Sequence, residues 1–255
     1  MNQLWVLLVG MFLFVTGKGQ SDKWASAKGA HRQDYHTNIR LVIKLPPRII
    51  NLLDLSTDQK ARLQAISDRY GSSLLSVHQE KQKAFSSLEK AIMSATFAEG
   101  TVKQRQGELV AASAKRVQVI GQMLSEMRRV LTSEQVRRIR PELPLERTDY
   151  QLFVQLPEGF SAIGLSRDQN AQLATLVRSR EPKMIALSRK EKAAREALEQ
   201  TIFSQQFDEA VVNQRREELV AVLTEQIEVN TGILLDARKI LTPSQIKRLS
   251  EITPG

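Results

Sequence analysis

The pattern L-[ST]-x-x-Q stands at four positions of this chain that are related in pairs, and their spacing limits the fold more than any other feature. It reads LSTDQ at 55–59 and LSRDQ at 165–169, then LTSEQ at 131–135 and LTPSQ at 241–245, each pair offset by 110 positions. A gapless alignment of 55–139 on 165–249 gives about 27 identities in 85 positions, far above chance. The densest match sets VKQRQGELVA at 102–111 on VNQRREELVA at 212–221, and Phe97 falls on Phe207. Similar lead-ins precede the copies, LVIKLP at 41–46 and LFVQLP at 152–157. They alternate roughly as strands do and end on Pro, so they are expected to be extended. The chain is therefore two copies of one unit of about 85 residues.

The pattern itself starts helices. Ser or Thr is an N-cap whose hydroxyl accepts from an unpaired N–H of the first turn. Gln three residues on reaches back to the cap's own N–H, and the preceding Leu packs inward. This assigns capping to Leu55, Ser56 and Gln59, to Leu131, Thr132 and Gln135, to Leu165, Ser166 and Gln169, and to Leu241, Thr242 and Gln245. Pro243 fits the first helical position, where an N–H is not needed. In each unit the pattern predicts a first helix, over about 57–70 in unit 1, ending at Gly71-Ser72-Ser73, with Pro182 in the equivalent region of unit 2. A second helix is expected over about 74–95 and 184–204, then a turn at Phe97 and Phe207. A long third helix follows over 99–130 and 209–240, and a short fourth begins at the last pattern. The long helix carries an apolar stripe: Val102, Leu109, Val117, Met123, Leu124 and Met127, matched by Val212, Leu219, Leu223, Ile227, Ile233 and Leu234. Such an arm, roughly 48 Å long, cannot bury its stripe within one short unit. The units are expected to pack on each other through these helices.

Composition agrees with helix. Gly and Pro together are 20 of 255 residues, below the usual share of about 12%, and aromatic side chains number 13. Cysteine is absent, which excludes disulfides, thiolate metal sites, cysteine nucleophiles and a lipidated cysteine anchor. Near the amino terminus, residues 4–15 form an apolar run (LWVLLVGMFLFV), too short as a helix for a hydrocarbon core of about 30 Å and of signal-peptide length. Residues 1–27 are expected to be a signal peptide, cleaved after Gly17 or Ala27. Because the first residues MNQ carry no Lys or Arg, an uncleaved N-terminal anchor stays open as the alternative. Either way the chain is expected to be exported, with residues 28–40 as a polar tether, 41–140 as unit 1 and 141–255 as unit 2.

Four such motifs, paired across about 76 residues of charged helix containing Met and Gln behind an export signal, resemble the Spy/CpxP family of periplasmic proteins. The stretch from Phe207-Asp208 through Gln214-Arg215 to Leu241-Thr242-Pro243-Ser244-Gln245 is particularly similar. The resemblance implies an all-α fold: two tandem Spy/CpxP-like units of long amphipathic helices. Relatives often form cradle-shaped antiparallel dimers, so the two units imply either an intramolecular pseudo-dimer or a homodimer. It also implies an ATP-independent chaperone or holdase that binds unfolded client proteins. The alternative it implies is an envelope-stress or heavy-metal-responsive adaptor that docks on a sensor domain.

The formal net charge of +9 points to acidic or anionic partners without choosing among them. Over 55–139 there are 14 basic and 8 acidic residues, and over 165–249 there are 14 and 12, so the excess lies mainly in unit 1. Arg105, Arg128 and Arg138 recur as Arg215, Arg238 and Arg248. Their ordinary reading is a solvated helix face with local ion pairs, such as Arg105 with Glu108. Their functional reading is a basic client-binding face. No metal site is expected. His31 and His36 lie in the tether, His78 is replaced by Ser188 in unit 2, and Met123 and Met127 fall on the apolar stripe. No cofactor and no catalytic constellation are expected, since no G-x-S-x-G, Walker A or H-E-x-x-H motif is present. Basic residues interleave with acids and lack stacking aromatics, which argues against nucleic acid. Membrane contact is expected only through an uncleaved N-terminal segment.

Overall fold

The computed structural model describes residues 52–139, 160 and 162–252. The expected signal segment, the tether and both extended lead-ins lie outside the described residues. So do His31 and His36.

Among the described residues six helices follow in order. Unit 1 has α1 (Thr57–Met93), α2 (Glu99–Val130) and α3 (Ser133–Ile139). Unit 2 has α4 (Arg167–Ile202), α5 (Glu209–Ile240) and α6 (Pro243–Ile252). Each unit is thus a hairpin of two long helices closed by a short one. All four capping motifs begin helices, and the long arms α2 and α5 keep the bounds expected from sequence.

The expected break in the first half of each hairpin does not occur. Helix α1 runs unbroken for 37 residues through Gly71-Ser72-Ser73, and α4 runs for 36 residues with Pro182 inside it. Gly within a helix costs about 1 kcal/mol relative to Ala and Pro about 3. Burial on either side outweighs both. Leu74 and Val77 of α1 and Met184 and Leu187 of α4 are sealed in the interior just beyond the weak point. Full burial of each is worth about 1.5–3 kcal/mol. Pro182 itself is exposed, so the carbonyl its ring displaces faces the solvent side of α4.

Helices α1 and α2 pack along each other, as do α4 and α5, and α2 runs against α5 as the main seam between units. The stripe of α2 is wholly buried. In α5, Val212, Leu219, Ile233 and Leu234 are buried, with Leu223 and Ile227 packed beside them.

Each of the two cores draws on both units. One core joins Leu53, Leu63, Met123 and Ile139, from the closed base of unit 1, to Ile202, Phe203 and Val212 from the hairpin tip of unit 2. The other joins Phe160, Leu173, Ala237 and Leu249, from the base of unit 2, to Ile92, Met93 and Val102 from the tip of unit 1. The tip of each hairpin is docked on the base of the other, so the duplicated units are antiparallel and neither owns a complete core.

Candidate functional site

The motif residues meet at the base of each unit. Ser56 and Gln59 form a reciprocal capping box: the Gln59 N–H donates to Ser56 Oγ at 3.1 Å, and the Ser56 N–H donates to Gln59 Oε1 at 3.1 Å. Thr132 and Gln135 repeat it at the start of α3, at 2.9 and 3.2 Å. The two glutamines then pair. Gln59 Nε2 donates to Gln135 Oε1 at 2.7 Å, and Gln135 Nε2 donates back to Gln59 Oε1 at 3.0 Å. Gln59 Nε2 also serves the Val130 carbonyl in the last turn of α2, and Gln135 Nε2 the Leu53 carbonyl, both at 3.0 Å. Helix termini leave N–H and C=O groups without intrahelical partners, and this pair of carboxamides satisfies several at one junction.

Unit 2 repeats the arrangement. Gln169 and Gln245 exchange bonds of 2.7 and 2.9 Å, and they bind the carbonyls of Ile240 and Gly164 at 2.8 and 3.0 Å. The chain enters both junctions through a left-handed residue, Asp54 (φ 46°) in unit 1 and Gly164 (φ 67°) in unit 2. Gly adopts this region without strain, and Asp tolerates it better than most residues. The motif therefore joins the base of each hairpin. Leu55, Leu131 and Leu241 are buried beside it, and Leu165 is half-buried.

The six arginines shared by the units divide into two groups. Arg128 and Arg238, each in the last turn of a long helix, reach across to the tip of the other unit. Arg128 Nη2 donates to the Ser204 carbonyl at 3.0 Å and its guanidinium lies 5.6 Å from the Phe207 ring centre. Arg238 Nη1 donates to the Ile92 carbonyl at 2.8 Å and lies 4.9 Å from the Phe97 ring. The Ile92 carbonyl lies in the last turn of α1, where the backbone is partly negative and lacks internal donors, and the Ser204 carbonyl lies two residues past the end of α4. These two arginines are thus half-buried at the seam and engaged there, not displayed on an open basic face. Sequence reasoning grouped them with the face because a retained Arg looks the same in either role. The retained Phe97 and Phe207 were the signal that separates them.

Arg105 and Arg215 stay on the helix surface and pair with Glu108 and Glu218 three residues on, at 2.8 and 2.7 Å. Arg138 pairs with Glu134 at 3.1 Å, and Arg248 is exposed on α6. Surface pairs of this kind contribute about 0–1 kcal/mol, so these side chains can exchange partners at little cost. Large apolar side chains also reach solvent: Phe85, Phe97, Ile185 and Val211 are 37–43% exposed. The described helices thus carry both exposed apolar side chains and surface ion pairs.

Two ionisable groups are drawn out of water to different degrees: Glu199 is buried and Lys81 is half-buried. Burial holds the Glu199 carboxyl up at about 8, with Arg195 opposing the shift and Glu196 adding to it. Burial, with the Arg116 charge next, brings Lys81 down to about 8, while Glu191 opposes and Arg195 adds to it. Among the described residues no three His, Asp or Glu converge as a metal site would require, and no helix is long and apolar enough to cross a membrane.

Comparison with curated proteins and with solved structures returned no match. The model of the LTXXQ motif family protein matches twice, over residues 47–140 and 155–253. Those two stretches are the two hairpin units, and each contains one paired-glutamine junction. The chain belongs to the LTXXQ motif family and carries the family's unit in two tandem copies.

Proposed function

We propose that this protein is an exported, ATP-independent holdase that binds unfolded or misfolded proteins on the surface of its long helices. It acts by binding alone, with no catalytic step. The observation that carries this reading is the mixed character of the helix surfaces: Phe85, Ile185 and Val211 are exposed on the same two hairpins that carry the surface ion pairs of Arg105 and Arg215. An unfolded chain presents apolar groups and charges without fixed geometry. A surface of scattered apolar footholds and exchangeable cations can hold it through many weak contacts and release it readily. Long-range attraction from a net positive chain would speed capture of acidic clients. Family membership and the export-type leader support a periplasmic setting for this activity.

The seam arginines Arg128 and Arg238 have a supporting part in this proposal. They hold the two hairpins as one frame, while Arg105, Arg138, Arg215 and Arg248 supply the face. The test is dilution of a chemically denatured acidic protein into buffer without ATP. Substoichiometric to few-fold amounts of the protein should suppress light scattering. Unchanged scattering at a tenfold excess contradicts the proposal.

A further inference from the structure

Glu199 is 3% exposed, and its carboxyl oxygen Oε1 has no hydrogen-bond partner. Its place on α4 says what it seals. Leu198, Glu199 and Ile202 share one face of the helix, since residues three and four apart are neighbours there, and all three are buried. Leu198 and Ile202 pack into the core that joins the tip of unit 2 to the base of unit 1, with Phe203 and Val212. The carboxyl is thus enclosed where one unit docks on the other. Its equivalent in unit 1, Glu89, is only half-buried. An ionised carboxylate taken out of water costs far more than a neutral carboxyl.

The charges around it do not offset this burial. On α4, Arg195 favours ionisation and Glu196 opposes it, and the carboxyl stays up at about 8. Arg195 is paired with Glu191, which also accepts from Gln226 of α5 at 2.9 Å. From α1, Lys81 interacts with Glu191 and Arg195, and Arg116 of α2 acts on Lys81. Farther along the tip, Arg128 and Arg129 of α2 hold the Ser204 carbonyl and Glu209, and Arg216 of α5 reaches Ser125 of α2. The other titrating groups nearby respond in another sense or range. Burial brings Lys81 down to about 8 and holds His78 below its ordinary 6.5, so exposure makes both take up protons, and rising pH opposes their exposure. Burial pushes Tyr70 above its ordinary 10, so it releases a proton on exposure only at higher pH still.

We propose that the tip of unit 2 is a proton-operated latch, seated on the base of unit 1 while Glu199 is neutral and lifted when Glu199 loses its proton. Opening uncovers Ile202, Phe203 and Val212 on the tip, with Leu53, Leu63 and Ile139 on the facing base. For the holdase proposed above, on which this consequence rests, the uncovered core is additional apolar surface for unfolded clients.

Amide hydrogen exchange of the full protein, corrected for the intrinsic pH dependence of exchange, reads the opening without any client. Between the ordinary 4.5 of a carboxyl and the folded value near 8, each opening releases one proton. The opening constant at the Phe203 and Val212 amides should therefore rise about tenfold per pH unit over that range. The tip of unit 1, at Met93 and Val102, should show no such rise. Glu199→Gln and Glu199→Leu, which have no proton to lose, should abolish the rise, with circular dichroism checking that each is folded. A flat profile at the unit 2 tip overturns the proposal. So does an equal slope at both tips, which marks unfolding of the whole chain, or a slope that persists in a folded variant. The parent profile and the comparison of tips stand even where a variant does not fold. Exchange also decides the latch whether or not a client binds, so failure of the latch and failure of the holdase reading are separate results.

Discussion

Arg238 at the end of α5 donates to the carbonyl of Ile92 at the end of α1, 2.8 Å away across the seam between the two units. A hydrogen bond to a charged group is worth about 1.5–3 kcal/mol, and a guanidinium over an aromatic ring adds about 0.5–1 at a part-exposed site. Arg238→Ala should therefore lower unfolding free energy by about 2–3 kcal/mol in urea titrations. Arg238→Lys should recover part of this, since an ammonium cannot both reach the carbonyl and lie flat on Phe97.

Because each core is built from one base and the opposite tip, a single unit should not fold alone. Residues 47–140 expressed separately should self-associate, each copy's tip on the other's base, or remain loosely packed. Light scattering coupled to chromatography should show a dimer or a broad aggregate. A monomer with a sharp cooperative melt would contradict the interlocked core.

The paired glutamines make a symmetrical prediction for both units. Gln135→Ala removes donors from the Leu53 carbonyl and from Gln59, leaving buried groups unpaired, at a cost of about 1–3 kcal/mol. Gln245→Ala should cost a similar amount. Gln135→Glu should not rescue, because a carboxylate accepts but does not donate. Chemical denaturation of the three variants checks this.

Much of this frame was legible in the sequence. The offset of the motifs gave the duplication, the capping boxes gave four helix starts, and the turns at Phe97 and Phe207 with the last capping motif of each unit gave the bounds of α2 and α5. Gly71 and Pro182 misled, because local propensity cannot see that Met184 and Leu187 are buried just beyond Pro182. The capping role of Gln59 and Gln135 was readable from three-residue spacing. Their mutual pairing was not, because it depends on two helix starts meeting in space. The separation of 76 positions, the same in both copies, was its one trace. That the charge of Glu191 acts on Lys81 was not legible either, because it depends on the antiparallel docking of the two units.

Glu199 gives the fold a defined pH response. Its carboxyl is held near 8 in the folded protein against an ordinary 4.5, so the native state binds the proton more tightly than the unfolded chain. Its contribution is fully present below about pH 4.5 and is lost as pH rises toward 8. Glu199→Gln keeps a neutral side chain of the same size. It should flatten the decline in stability between these limits and leave the variant more stable than the parent at pH 8. Melting temperatures of both proteins across this range test the assignment.

The central claim is that the long-helix surface binds unfolded chains through weak, charge-assisted contacts. Fluorescence anisotropy of a labelled acidic protein, held unfolded by covalent modification and compared with its unmodified native form, measures this most directly, titrated with the full chain at low and at high salt. The account predicts saturable binding without ATP at low salt. It also predicts at least a fivefold weakening at high salt, as screening shortens the reach of the basic face, and no binding of the same protein in its native form. Absence of binding to the unfolded chain, or equal affinity for the native one, would contradict it.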